Sequence, residues 1–213
     1  MFNNSNPKTN GEEFFFKKIQ NKIKVIFDVG CRVDSEFVEF KGKVHYFEPV
    51  KEFIENIKTQ KNKNKKSYFN NFGLGEENKE IFYYPQHQSF CNRNKDNSQE
   101  KVLLKIKKGK DYVNEKNIKR IDFLKIDTEG YELNVLLGFE DFLKNINVIQ
   151  FEYGGTFKDN NIKLVDVINL LKKMGFEKFS YLVKDGVVPL TNYEDHYMYC
   201  NIVCLNRKSK IKF

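Results

Sequence analysis

Carboxylates recur in this chain where short apolar runs stop. Val25-Ile26-Phe27 runs into Asp28, Val44-His45-Tyr46-Phe47 into Glu48, Ile121 to Ile126 into Asp127, and Val148-Ile149-Gln150-Phe151 into Glu152. Runs of this length, rich in β-branched and aromatic residues, have the pattern of buried parallel strands. In an open α/β sheet, ligands bind outside the carboxyl ends of the strands, where the strand order reverses. One acid at a strand end is ordinary, but four on one rim predict a polar binding site.

The Asp28-Val29-Gly30 turn and Glu48 narrow the chemistry. A glycine lets the loop after the first strand turn closely against a ligand. An acid ending the second strand, ~20 residues after the first motif, accepts hydrogen bonds from ribose hydroxyls. That pairing suits an adenosine-bearing cofactor. A dinucleotide would require Gly-x-Gly-x-x-Gly so that the backbone can approach a pyrophosphate. This loop reads Gly30-Cys31-Arg32-Val33-Asp34-Ser35 and keeps only the first glycine. It also sets Asp34 where a phosphate would need backbone amides. A carboxylate suits the cationic amino group of a methionine moiety instead, so the residues point to S-adenosylmethionine (SAM) rather than NAD.

Alternating strands and helices must hold these residues. Glu12 to Lys22 reads as a helix, and Phe53, Ile54 and Ile57 fall at helical spacing. Ser67 to Leu74 reads as a third strand, Ile81 to Tyr84 and Val102 to Ile106 as added ones, and Tyr112 to Lys119 as a short helix. After Asp127 comes a helix carrying Leu133, Leu136 and Leu137, with Gly138 as its expected stop. Leu164 to Met174 is amphipathic and ends at Gly175. Phe179 to Val183 and Tyr197 to Leu205 have no helix between them, which predicts an antiparallel C-terminal hairpin. The fold class is therefore α/β, Rossmann-like, with a mostly parallel sheet. Residues 1–10 are polar, Asn-rich and interrupted by Pro7, and read as a disordered arm. Residues 11–213 contain no Pro/Gly/Ser-rich linker and read as one domain.

Composition bounds the partners. With 40% hydrophobic residues, 21 Phe and no Trp, the core is expected to be Phe, Ile, Leu and Val. The net charge of +8 is carried mostly by Lys. Lys61, Lys63, Lys65 and Lys66 cluster without interleaved aromatics, which is the pattern of a solvated loop rather than a nucleic-acid face. Cys31, Cys91, Cys200 and Cys204 form no CxxC pair, which fits a reduced cytoplasmic setting. No apolar stretch is long enough to span a bilayer, and the first residues lack a signal-peptide core.

The segments VIFDVGCRVDSEF, VHYFEP, NFGLGEENKEIFYY, IDFLKIDTEGYELNVLLGF and IQFEY, in this order over most of residues 24–153, resemble the motifs of the FkbM family of SAM-dependent methyltransferases. IDFLKIDTEGYE is the most specific of them. The resemblance implies a class I methyltransferase fold and an activity of O-methylating sugars and natural products. By residue, it implies that Asp28 and Gly30 belong to the methionine-side loop and that Glu48 meets the ribose. Asn71 and Leu74 would lie near the adenine, and Asp127 beside the reactive end of the cofactor. The loop departs from the family where Arg32 and Asp34 stand, since members often have Asn and Gly there.

A sugar hydroxyl is a poor nucleophile, so a general base is expected, worth roughly 10²–10⁴-fold. Asp127, Glu129, Glu152 and His196 are the candidates, with Asp127 first. A strand-end Asp is also an everyday helix cap, and a lone His is commonly structural. Asp127 and Glu152 together have the chemistry to hold Mg²⁺, but the expectation is a metal-free site. The acceptor is expected to be a sugar or other hydroxylated small molecule. Two alternatives remain: a nucleic-acid methyltransferase, motivated by the positive charge, and a degenerate fold kept as a non-catalytic binding module, motivated by the altered loop. The Asp/Asn-Pro-Pro-aromatic motif of amine methylation and a Pro-Cys nucleophile are both absent.

Overall fold

The computed structural model describes residues 2–33, 35–60, 66–86 and 100–211. Asp34, Cys91, His87 and the Lys61 to Lys65 run lie outside the described residues.

The chain alternates as expected: α1 (Glu12–Ile19), β1 (Val25–Val29), β2 (Lys43–Phe47), α2 (Lys51–Thr59), β3 (Ser67–Asn70), β4 (Gly73–Gly75), β5 (Lys79–Tyr83) and β6 (Val102–Lys108). These are followed by α3 (Gly109–Glu115), β7 (Ile121–Ile126), α4 (Glu132–Phe139), β8 (Ile146–Tyr153), α5 (Gly155–Asp159), α6 (Leu164–Lys173), β9 (Phe176–Val183), β10 (Gly186–Pro189) and β11 (Cys200–Asn206). The central sheet has the order β10-β9-β11-β8-β7-β1-β2-β3. Its β3, β2, β1, β7 and β8 run parallel, and β11 runs antiparallel to both β8 and β9.

The apolar runs are buried on both faces, as parallel strands require. Phe27, Leu124, Ile149 and Ile202 pack on one side against α3, α4 and α6. Ile26, Val44, Phe123 and Val203 pack on the other against α1 and α2. The chain steps outward through β2 and β3 on one side of β1, and through β7 and β8 on the other. The seam between β1 and β7 is therefore the topological switch point, and a ligand crevice belongs at its carboxyl end.

Three local expectations are corrected. Ser67 to Leu74 is not one strand. It breaks after Asn70, whose side chain donates to the Tyr46 carbonyl at 2.8 Å, and β4 crosses into a separate sheet of order β4-β6-β5. Gly138 does not stop the helix but lies inside α4, where a Cβ would sit 1.8 Å from the Gly75 carbonyl oxygen. Its missing side chain serves the close approach of α4 to β4. The C-terminal strands pair antiparallel as expected, but the tight hairpin is β9 with β10, and β11 inserts between β8 and β9.

Residues of the leading arm meet the segment that leads into β11. The Asn3 amide donates to the Tyr199 carbonyl at 2.8 Å, the Tyr199 amide donates back to Asn3 Oδ1 at 3.0 Å, and the Phe2 ring lies 4.6 Å from that of His196.

Candidate active site

At the switch point the β1·β7 ladder runs one bond past the strands, with the Asp127 amide donating to the Val29 carbonyl at 2.9 Å. Gly30 sits against this seam at φ +82, where a Cβ would lie 1.9 Å from the Asp127 carbonyl oxygen. Only glycine fits there without moving one strand end from the other. The Gly30 amide donates to the Phe47 carbonyl at 2.9 Å, joining the loop to β2 as well.

Glu48 follows β2 and is 4% exposed. Its Oε2 accepts the Arg32 amide at 3.0 Å and its Oε1 the Val50 amide at 2.9 Å. Burial nevertheless pushes its carboxyl up to about 7. Asn71 braces this corner, donating to the Pro49 carbonyl at 2.8 Å and the Glu48 carbonyl at 3.2 Å. Leu74, 1% exposed, comes from β4 to the opposite wall. Glu48, Leu74, Phe53, Ile106 and Tyr131 thus enclose a cleft over Gly30 and Asp127 with about 540 Å³ of free space, counting its mouth.

Asp28 stands apart from this cleft. Strand alternation points Val29 into it and Asp28 to the other face, where Oδ2 accepts the Ser35 hydroxyl at 2.5 Å. Burial pushes Asp28 to about 6. It fastens the loop that follows Gly30 rather than lining the crevice.

A second group of acids gathers on the β7–β8 side. A carboxylate oxygen from each of Asp127, Glu129 and Glu152 lies within 4.8 Å of the others. Among the described residues this is the one such cluster with the donor set for a cation. Like charges this close cannot all stay ionised without a proton or a cation between them. Burial, and then the Asp127 charge, push Glu152 well above the carboxylate range.

Two residues that the sequence reading missed hold the cluster. Glu132, 1% exposed, accepts the Thr128 amide and hydroxyl at 2.9 Å each and the Gly130 amide at 3.2 Å. It ties the Asp127 loop into the first turn of α4. Lys125 Nζ lies 3.3 Å from Glu12, 3.6 Å from Glu36 and 3.9 Å from Asp127. Burial alone would lower its pKa, but these acids and Asp28 outweigh that and raise it. A lysine inside an apolar strand was the available signal for the second, and Thr128 four residues before Glu132 for the first.

His196 is not brought into this group. Its Nδ1 accepts the Met198 amide at 3.1 Å, its Nε2 lies 3.2 Å from the Tyr181 hydroxyl, and its ring packs against Phe2 and Tyr153.

With the crevice in view, the family can be assigned. Residues 28–178 match the model of the methyltransferase FkbM domain. The chain belongs to the FkbM methyltransferase family. No curated protein sequence matches it. Among solved structures, the plantazolicin methyltransferase BpumL, bound to a triazolic desmethylPZN analog and SAH, is similar at a TM-score of 0.54 and 11% identity, covering 96% of this chain and 87% of that one. The Methanococcus jannaschii fibrillarin pre-rRNA processing protein is similar at 0.53 and 10%, covering 94% and 76%. At such identity the likeness is one of fold, that of class I methyltransferases.

This FkbM methyltransferase is SAM-dependent, and its cleft fits that cofactor. Glu48 with the apolar Leu74 and Phe53, and Asp127 with Glu129, are among the residues lining it, a mixture of acidic and apolar groups that suits a cationic adenosine-bearing cofactor. No described helix is long and apolar enough to cross a membrane.

Proposed function

We propose that this FkbM methyltransferase methylates a hydroxyl oxygen of a sugar, glycan or similar small molecule. The observation that carries this reading is the convergence of Asp127, Glu129 and Glu152 beside the cofactor cleft. Carboxylates accept hydrogen bonds from neighbouring hydroxyls and orient them, and one of them takes the proton that the hydroxyl must lose. SAM supplies an electrophilic methyl carbon.

Glu48 holds the ribose, Leu74 and the Asn71-braced corner receive the adenine, and Gly30 lets the loop close on the methionine end. Asp127, with Lys125 bringing positive charge 3.9 Å away, is the base in this scheme. Glu152 holds its proton tightly and hydrogen-bonds Asp127, so the pair carries one negative charge rather than two. Glu129, at φ 55, is held at the cleft mouth to meet the acceptor. Proton transfer of this kind contributes roughly 10²–10⁴-fold, and alignment supplies much of the rest. No metal is needed in this scheme.

The same reading takes residues 11–213 as the methyltransferase domain. It places the protein in the cytoplasm, which the free buried thiols of Cys31, Cys200 and Cys204 support. A nucleic-acid acceptor is the competing reading, favoured by the net charge of +8.

The test is transfer of labelled methyl from SAM to nucleotide sugars, oligosaccharides and RNA, with products read by mass spectrometry. A methyl ether on a sugar hydroxyl is expected. Label in RNA alone would favour the competing reading. A folded protein that binds no SAM would be a binding module.

A further inference from the structure

The cleft sets three acids against one base. Glu48, Asp127 and Glu129 line it, and Arg32 is the one cation among its described lining residues. SAM carries two positive centres, the sulfonium and the ammonium, and one negative centre, the carboxylate of its methionine moiety. The acids answer the positive centres and the ribose hydroxyls. The carboxylate needs hydrogen-bond donors, and a cation is the strongest of these.

Arg32 is exposed at the lip of the cleft and is one of its lining residues. Burial raises the pKa of both Glu48 and Tyr83, which stand on different elements around the mouth, and the Arg32 charge pulls back on each. Its backbone is at φ 48, a left-handed conformation that Gly and Asn adopt readily and a long side chain does not. The loop is pinned there by the Arg32 amide on Glu48 Oε2 at 3.0 Å. Strain retained beside a ligand cleft points to use.

We propose that the Arg32 guanidinium binds the carboxylate of the methionine moiety of SAM, as a charge-assisted fork facing the acids that take the rest of the cofactor. Arg32 is then a cofactor-binding residue that acts on the amino-acid end alone. This inference concerns the cofactor and does not depend on which acceptor is methylated.

Calorimetric titration of the full chain with S-adenosylhomocysteine and with 5′-methylthioadenosine tests it, since the second ligand keeps the adenosine and sulfur but lacks the amino-acid end. Arg32→Asn removes the charge and tolerates φ 48, so its thermal unfolding should match or exceed that of the wild type. The expected result is a loss of roughly 10- to 100-fold in S-adenosylhomocysteine affinity with methylthioadenosine unchanged. Arg32→Lys should recover part of the loss, because it restores charge without the fork. Equal losses for both ligands would overturn the proposal and move Arg32 to the adenosine end through Glu48. No loss for either would reduce it to a solvated loop charge.

Discussion

The two halves of the cleft are built differently. On the β1–β2 side, one acid, Glu48, is held by two backbone amides in an apolar corner. Its partners are fixed before any ligand arrives, which is how a site grips an invariant group. On the β7–β8 side, Asp127, Glu129 and Glu152 crowd one another. They are supported from behind by Lys125 and Glu132, and burial with the Asp127 charge holds a proton on Glu152. In the proposed function the first half binds and the second exchanges protons. The Gly30–Asp127 contact at the switch point is the joint between them.

The largest expected effect separates the halves. Asp127→Ala should lower turnover on the acceptor found by the methyl-transfer screen by roughly 10²–10⁴-fold while leaving S-adenosylhomocysteine affinity within about threefold. Unchanged turnover would remove Asp127 from the chemistry.

Gly30→Ala strikes the joint. The new Cβ would meet the Asp127 carbonyl at 1.9 Å from a backbone at φ +82, so a stability loss of about 3 kcal/mol is expected in thermal or urea unfolding. A variant as stable as the wild type would show that the halves are not so tightly joined.

Titration should sharpen the contrast. The Glu48 carboxyl stands at about 7, above its unfolded value near 4.5, so its contribution to apo stability is present at low pH and lost as pH rises through 7. Ligand hydroxyls favour the ionised form, so S-adenosylhomocysteine affinity should rise over the same window, by at most about tenfold per pH unit, and then level off. Binding near pH 7 should release protons, readable by calorimetry in buffers of different ionisation enthalpy. Affinity that is flat with pH would take Glu48 out of the ligand's contacts.

The smallest effect belongs to His196. With its ring nitrogens engaged by Met198 and Tyr181, His196→Ala should change turnover by less than about tenfold. A larger loss, with folding intact, would bring it into the acceptor site.

The binding half was the more legible in the sequence. A glycine after one strand and an acid after the next are spaced by chain geometry alone, so Gly30 and Glu48 could be paired without coordinates. Asp28 has the right type at the right place, but pleat alternation turns it away whenever its neighbour Val29 faces the ligand. The proton-exchanging half was legible only in part. Asp127 and Glu152 end neighbouring strands, whereas the supports of Lys125, drawn from residues as distant as Glu12 and Glu36, depend on tertiary packing that no local pattern records. Gly138 shows the same limit. At the end of a helical pattern a glycine reads as a stop, and only the position of β4 reveals that it is a point of close approach.

The most direct test sets Glu48→Ala and Asp127→Ala side by side in one measurement, the calorimetric affinity for S-adenosylhomocysteine, with folding of both checked by circular dichroism. The account predicts that the first loses most of its affinity and the second keeps nearly all of it. Wild-type affinity in the Glu48 variant, or an equal loss in both, would contradict the division of the rim into a gripping half and a reacting half.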